Sequence, residues 1–129
     1  MKYSHTAISV NNLEVSRSFY ESVFSLKFRS QGERPELKYK FINLEGENQD
    51  VIELFKHESP LPLKEDLMDM KNVGIKHIAF IVDKIEPVID RALAHGGKII
   101  QPAKQGMTVK RKAFISDPDG IPIELVELN

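Results

Sequence analysis

Hydrophobic and polar positions follow the same order of patterns twice along the chain. Short apolar runs, partly β-branched, cover residues 3–10 and 75–82 and predict strands. After each run, apolar residues recur three to four positions apart, which is typical of a helix that buries one face. Three more apolar runs in each half predict further strands, at residues 26–31, 38–44, 50–56, 98–101, 108–116 and 121–127. Each half is therefore predicted to be a β-α-β-β-β module.

The residues at the predicted helix ends support this order. Asn11 with Glu14, and Asp83 with Glu86, resemble capping boxes that begin a helix in each half. Gly96-Gly97 provides a stop for the second helix, because glycine readily adopts the left-handed conformation that ends helices.

The repetition extends to individual residues. The segment from His5 to Glu14 aligns, 72 positions later, with the segment from His77 to Glu86, and His, Ala, Val and Glu recur at matching places. Ile52-Glu53-Leu54 recurs 71 positions later as Ile123-Glu124-Leu125. A repeat of this kind decides the architecture, because each copy is one structural unit.

The predicted fold class is α+β, with two tandem βαβββ modules forming a curled mixed sheet around a metal-binding cavity. The modules span residues 1–57 and 75–129, and residues 58–74 form a connector in which Leu63–Met70 is predicted to be a short helix. A module of this size is marginally stable alone, so the two are expected to share a buried face as one domain. The length of the connector leaves open whether they pair within one chain or with a second copy.

Four residues in the repeated segments are candidate metal ligands: His5, Glu53, His77 and Glu124. Since side chains alternate along strands, the first and last strands of a module can place one His and one Glu on the same face. Two imidazoles and two carboxylates suit Ni, Zn, Co, Mn or Fe, with positions left for water or substrate. Taken singly, each His also fits a partly buried structural role, and each Glu fits the outward position of an edge strand.

Composition and net charge exclude several classes of function. The chain has 129 residues, of which 41% are hydrophobic and 29% charged, with a net charge of −1. This near-neutral charge gives no general attraction for nucleic acid or acidic membranes. The absence of cysteine excludes disulfides, thiolate nucleophiles and Cys-ligated zinc. No 18-residue apolar run and no signal-peptide pattern are present, so a cytoplasmic location is expected.

Several motifs together resemble the vicinal oxygen chelate superfamily, which includes glyoxalase I, methylmalonyl-CoA epimerase, extradiol dioxygenases and fosfomycin- and bleomycin-resistance proteins. The resemblance covers nearly the whole chain. It is carried by His5 with Val10-Asn11-Asn12-Leu13, Phe19-Tyr20, Val51-Ile52-Glu53-Leu54-Phe55, Gly74-Ile75-Lys76-His77-Ile78-Ala79-Phe80 and Asp117-Pro118-Asp119-Gly120-Ile121-Pro122-Ile123-Glu124-Leu125.

The His-Glu-His-Glu order resembles the ligand set of small bacterial glyoxalase I, lactoylglutathione lyase. This resemblance implies a metal-dependent lyase or isomerase that acts on a small substrate with adjacent oxygens, such as the hemithioacetal of a thiol and an α-ketoaldehyde. Bound metal would act as a Lewis acid while a carboxylate moves a proton between neighbouring carbons. The resemblance favours Glu124 as that base, with Glu53 as the symmetry-related alternative.

The chain departs from the glutathione-using enzymes at two positions. Ser9 stands where they carry an Arg, and His57 stands where they carry an Asn. The resemblance therefore extends to the metal chemistry but not securely to glutathione. A thiol transferase or dioxygenase on the same scaffold, or a non-catalytic small-molecule-binding protein of the resistance type, are the alternatives.

One further residue has two interpretations. Arg111 lies on a predicted strand beside the strand of Glu124 and is a candidate to bind a substrate carboxylate or phosphate through two hydrogen bonds. The Lys110-Arg111-Lys112 run also fits an exposed strand edge protected by lysine.

A homodimer is expected, with a small molecule as the other partner.

Overall fold

The computed structural model describes residues 1–129 and divides into two compact units, Met1–Pro62 and Leu63–Asn129. The division falls inside the predicted connector. The first unit contains β1 (His5–Ser9), α1 (Leu13–Phe24), β2 (Lys27–Arg34), a 3₁₀ turn (Pro35–Leu37), β3 (Tyr39–Glu45) and β4 (Val51–His57). The second contains β5 (Ile78–Ile81), α2 (Ile85–Ala94), β6 (Lys98–Gln105), β7 (Arg111–Ser116) and β8 (Pro122–Glu127).

Both units have the same sheet topology. The first sheet has the order β1-β4-β3-β2 and the second has the order β5-β8-β7-β6. In each sheet the first strand of the unit runs parallel to the last, and the other pairs are antiparallel. A helical crossover is what joining two parallel strands requires, which explains the helix after β1 and after β5. The prediction of an α+β fold with two βαβββ modules is confirmed.

In the first unit the core lies between α1 and one face of the sheet. Phe19, Tyr20 and Val23 on the helix are at most 1% exposed. On the sheet, the buried residues occupy alternate positions of the strands: Ile8, Ile42, Leu44, Ile52 and Leu54. Because alternate residues point to opposite faces, the intervening strand residues lie on the face away from the helix, and His5 and Glu53 belong to that face.

The second unit repeats this arrangement. Ile85, Val88 and Ala92 form the buried stripe of α2, and Ala113, Ile115, Ile123 and Leu125 form the matching face of the sheet. The helix ends as predicted: Gly96 has a φ of 91°, and the N–H of Gly97 donates to the Ala92 carbonyl at 2.8 Å. Glu124 lies on the opposite face, between the buried Ile123 and Leu125.

The helices begin one residue later than the capping boxes predict. Asn12 caps α1, and its side-chain oxygen accepts a hydrogen bond from the N–H of Val15 at 3.0 Å. The corresponding residue before α2 is Lys84, which makes no capping hydrogen bond. The N–H of Ile85 donates instead to the Glu127 carboxylate on β8 at 2.9 Å. A long-range contact thus replaces the local cap in the second unit.

The helix predicted over Leu63–Met70 is wrong. Residues 63–77 form turns and irregular backbone. The Asp66 carboxylate accepts from the N–H of Met68 at 2.9 Å, and the Asp69 carboxylate accepts from the N–H of Lys71 at 3.0 Å. Aspartates that bind the backbone two residues ahead stabilise turns at the expense of helix, which is the physical reason for the difference.

The chain forms two separate four-stranded mixed sheets, and a single curled sheet around a metal-binding cavity stays a prediction. Neither α1 nor α2 has the length and apolar character of a membrane-crossing helix.

Candidate metal centre

The first imidazole–carboxylate pair is placed by the register of β1 on β4. Ala7 lies opposite Glu53, and His5 lies two residues earlier on the same face of β1. Residues in such diagonal positions on neighbouring strands are close enough for long side chains to meet. The His5 Nε2 atom is 3.7 Å from a carboxylate oxygen of Glu53, and the other ring nitrogen, Nδ1, is hydrogen-bonded to the Ser4 hydroxyl at 2.8 Å.

The second pair uses the same register. Ala79 lies opposite Glu124 on β8, and His77 lies two residues earlier, just before β5 begins. The His77 Nε2 atom is 2.9 Å from a carboxylate oxygen of Glu124. The ring of Phe114, which lies opposite Glu124 on β7, packs edge-on against the His77 ring with 5.2 Å between centroids. The contact between Phe114 and His77 could not be predicted from the sequence, because it depends on the strand register.

The structure thus brings the four predicted ligands together as two pairs, one in each unit. No set of three or more His, Asp or Glu side chains in residues 1–129 forms a group that holds a metal. Each pair nevertheless presents one imidazole nitrogen and one carboxylate oxygen. Both glutamate side chains are 18% exposed, so both are partly desolvated and still accessible. This donor set fits a first-row divalent ion.

An aromatic floor lies beside the first pair. On the Glu53 face, the Tyr39 and Phe55 rings are 5.0 Å apart and the Phe41 and Phe55 rings are 6.4 Å apart, all edge to face. Phe41 lies opposite Gly32 on β2, where an added Cβ would come within 2.6 Å of the Phe41 ring. The glycine therefore permits the ring to lie close against the strand, and the floor spans β4, β3 and β2.

The surface beside the second pair contains lysines instead of aromatic rings. Phe55 and Phe41 are replaced by Val126 and Lys112, which lie opposite each other on β8 and β7. Lys112 in turn lies opposite Lys104 on β6. Since Lys112 is two residues from Phe114 on β7, these two lysines share the face of Glu124.

Arg111 lies on the other face of that sheet. Its guanidinium donates to Glu127 at 3.0 Å, and it also forms a hydrogen-bonded ion pair with Glu86 near the start of α2. The structure therefore does not bring Arg111 to the face of His77 and Glu124. Its role in substrate binding stays a prediction, and a bound anion there would compete with Glu86.

The Arg111–Glu86 contact shifts the pKa values of both side chains. The hydrogen bond from Arg111 lowers the pKa of Glu86 below its ordinary value of 4.5. The same hydrogen bond raises the pKa of Arg111. Both shifts favour the charged pair, so this contact strengthens as Glu86 ionises.

The two positions that differ from the glutathione-using enzymes lie at the aromatic end of the first sheet. Ser9 is opposite Phe55 and His57 is opposite Tyr39, and both are exposed. The His57 Nδ1 atom accepts a hydrogen bond from the N–H of Ser59 at 2.9 Å. This fixes the ring locally and leaves its Nε2 atom as a possible donor.

Residues 2–125 match the Glyoxalase/Bleomycin resistance protein/Dioxygenase superfamily. The chain is 35% identical to the lactoylglutathione lyase of Salmonella typhimurium, over 98% of this chain and 93% of that protein. It is 32% identical to the protein YaeR of Escherichia coli, over 95% and 93% of the two chains. Among solved structures, the trypanothione-dependent glyoxalase I of Leishmania major is 27% identical with a TM-score of 0.78, covering 98% of this chain and 86% of that one.

Proposed function

The chain belongs to the Glyoxalase/Bleomycin resistance protein/Dioxygenase superfamily, and on that premise we propose that it is a metal-dependent lyase or isomerase of the glyoxalase I type. The substrate is a small molecule with adjacent oxygens, such as the hemithioacetal of a thiol and an α-ketoaldehyde. The observation that carries the proposal is the duplicated imidazole–carboxylate pair, placed in both units by the same strand register.

His5, Glu53, His77 and Glu124 together hold one divalent ion, Ni, Zn, Co, Mn or Fe. When bound, such an ion polarises the oxygens of a chelating substrate as a Lewis acid. The assembly of one centre requires the pairs of both units, supplied by one chain or by two copies of it. A homodimer, with the centre in a cavity lined by the curled sheets, is part of the proposal.

Glu124 is the base that removes a proton from one substrate carbon and returns it to the next. The Phe114 ring limits water on one side of the His77–Glu124 pair, since Phe114 is only 8% exposed and lies opposite the carboxylate. Glu53, with equal exposure, is the alternative base.

The identity of the thiol in the substrate is left open, because Ser9 and His57 stand where the glutathione-using enzymes carry an Arg and an Asn. Relatives in the family are named for lactoylglutathione and for trypanothione dependence. Neither thiol is assigned to this chain. The aromatic floor beside His5 and Glu53 favours an apolar segment next to the reacting carbons.

The test is metal content followed by turnover. Purified protein is expected to hold one first-row metal per centre, measured by elemental analysis. His5→Ala, Glu53→Ala, His77→Ala and Glu124→Ala are each expected to release it, whereas His95→Ala and Glu58→Ala, remote from both pairs, are expected to retain it. Unchanged metal content in all four site variants would overturn the proposed centre.

Turnover then separates the reaction classes. Methylglyoxal is mixed with a panel of low-molecular-weight thiols, and formation of the thioester product is followed by absorbance. Isomerase activity with at least one thiol supports the proposal. Loss of free thiol beyond the spontaneous hemithioacetal equilibrium, dependent on the protein and without thioester, would indicate a transferase. Oxygen uptake would indicate a dioxygenase, and binding without turnover would indicate a resistance-type protein. Each of these results contradicts the isomerase.

A further inference from the structure

We propose that Lys104 and Lys112 bind a carboxylate group of the substrate, so that the substrate is an anion. This inference rests on the proposed function, because it assigns a substrate class to the same site. It is carried by the strand pairing of β6, β7 and β8, which places both lysines on the face of the His77–Glu124 pair.

The two lysines lie directly opposite each other on neighbouring antiparallel strands. Like charges in that position repel, and the repulsion lowers the stability of the sheet. Neither lysine has an acidic side chain within ion-pair distance. Glu124, the carboxylate of this face, is already engaged with His77 at 2.9 Å. Lys98 adds a third positive charge further along β6, opposite Ser116. An anion placed between Lys104 and Lys112 would remove the repulsion.

The distance along the sheet suits a substrate group beside the reacting carbons. Phe114 lies opposite Glu124, and Lys112 is the next residue of β7 on that face. Neighbouring residues on one face of a strand are separated by about 7 Å. A lysine side chain spans most of that separation, so its ammonium group can contact a substituent near the carbon that Glu124 deprotonates.

The same positions in the first unit contain no charged residues. Phe41 and Gly32 replace Lys112 and Lys104, and the surface is aromatic. The two faces that bear the metal ligands therefore differ in polarity. The face of Tyr39, Phe41 and Phe55 suits an apolar segment, whereas the face of the two lysines suits a carboxylate.

A second lysine pair in the chain provides a matched control. Lys40 and Lys56 are also opposite each other on neighbouring antiparallel strands, β3 and β4. They lie on the helix side of the first sheet, in a groove that also contains the carboxylates of Glu33 and Glu58. This side of the sheet is opposite to the face of His5 and Glu53, so these two lysines are not expected to bind the substrate.

The experiment measures binding rather than turnover. The probes are S-hexyl-N-acetylcysteine and its carboxamide, which differ only in the charge of one group. Calorimetric titration of the purified protein is expected to show tighter binding of the carboxylate. Lys104→Gln and Lys112→Gln are each expected to weaken that binding roughly fivefold while leaving the carboxamide unchanged. Lys40→Gln is expected to change neither affinity.

Thermal unfolding of the same variants separates binding from folding. Lys104→Gln and Lys112→Gln remove a repulsion, so their melting temperatures are expected to equal or exceed that of the wild type. Equal affinity of the wild type for both probes, absence of carboxylate binding, or equal losses in Lys40→Gln and Lys112→Gln would overturn the inference. Because the titration requires no turnover, these results are independent of the metal measurements that test the proposed centre.

Discussion

The two units share one topology and one register, yet the neighbours of their imidazole–carboxylate pairs differ. His77 packs against Phe114 and lies 2.9 Å from Glu124. His5 is hydrogen-bonded to Ser4 and lies 3.7 Å from Glu53. In the first unit the residue opposite Glu53 is Asn43, whose side chain donates to the Ser30 hydroxyl at 3.0 Å. The repeated residues thus determine where the pairs form, and the unrepeated neighbours determine how firmly each is held.

A second difference concerns the start of each helix. In the first unit Asn12 caps α1 from within the same segment. In the second, Glu127 on β8 accepts from the Ile85 N–H and from Arg111, while the equivalent of Glu127 in the first unit is Lys56. The second unit has therefore exchanged a local cap for a charged contact between helix and sheet. Its stability depends more strongly on a few distant residues.

Replacement of Glu127 is expected to have the largest effect. Its side chain is 3% exposed, so Glu127→Ala leaves the Ile85 N–H and part of the Arg111 guanidinium without an acceptor. We expect a loss of about 2–3 kcal/mol in the free energy of unfolding, measured by urea denaturation. Lys56→Ala, at the equivalent position, is expected to cost less than about 0.5 kcal/mol. Equal costs would show that the two units are stabilised alike at this position.

Truncation of Phe114 tests how the second pair is held. Phe114→Leu removes the ring that packs against His77 while retaining an apolar side chain. We expect roughly tenfold weaker metal binding, as seen when groups that orient a ligand are lost, measured by competition with a chromophoric chelator. Phe41→Leu, in the first unit, removes a ring that does not contact a ligand histidine and is expected to leave metal affinity unchanged. Phe114→Tyr retains the ring and is expected to preserve the metal affinity.

The order of elements in each unit could be predicted from local periodicity, and the pairing of one His with one Glu in each unit from the repetition. That these four residues bind a metal stays a prediction. The sequence did not predict which side chains surround these residues. The chemistry of Arg111 suits substrate binding, whereas the pairing of β7 with β8 turns it toward α2 and turns Lys112 and Phe114 toward Glu124. The sequence shows that side chains alternate between two faces along residues 111–116. Which of them share a face with Glu124 depends on the strand register. The turns of Asp66 and Asp69 were missed because side-chain hydrogen bonds compete with helix.

Exchange of the residues before the two helices, Asn12 and Lys84, is expected to have a smaller effect on stability. Asn12→Lys gives the first unit the residue of the second without an equivalent of Glu127, and is expected to cost about 1 kcal/mol of unfolding free energy. Lys84→Asn is expected to change stability by only a few tenths of a kcal/mol, because Glu127 already accepts from the start of α2. Thermal denaturation of both variants measures the difference. A large gain from Lys84→Asn would contradict the role of Glu127 as the cap.

The smallest expected effect belongs to Glu86, whose side chain is 59% exposed and whose pKa is lowered by the hydrogen bond from Arg111. A carboxylate with a lowered pKa in the folded state stabilises that state above its unfolded pKa, and the contribution disappears as the pH falls through the folded pKa. Wild type is therefore expected to be slightly more stable than Glu86→Gln at neutral pH, with the difference vanishing as the pH falls below 4.5. Glu14→Gln is the control substitution in the first unit, where Lys40 occupies the place of Arg111 and Glu14 forms no ion pair. Parallel pH-dependent curves for Glu86→Gln and wild type would mean that Arg111 is held by Glu127 alone.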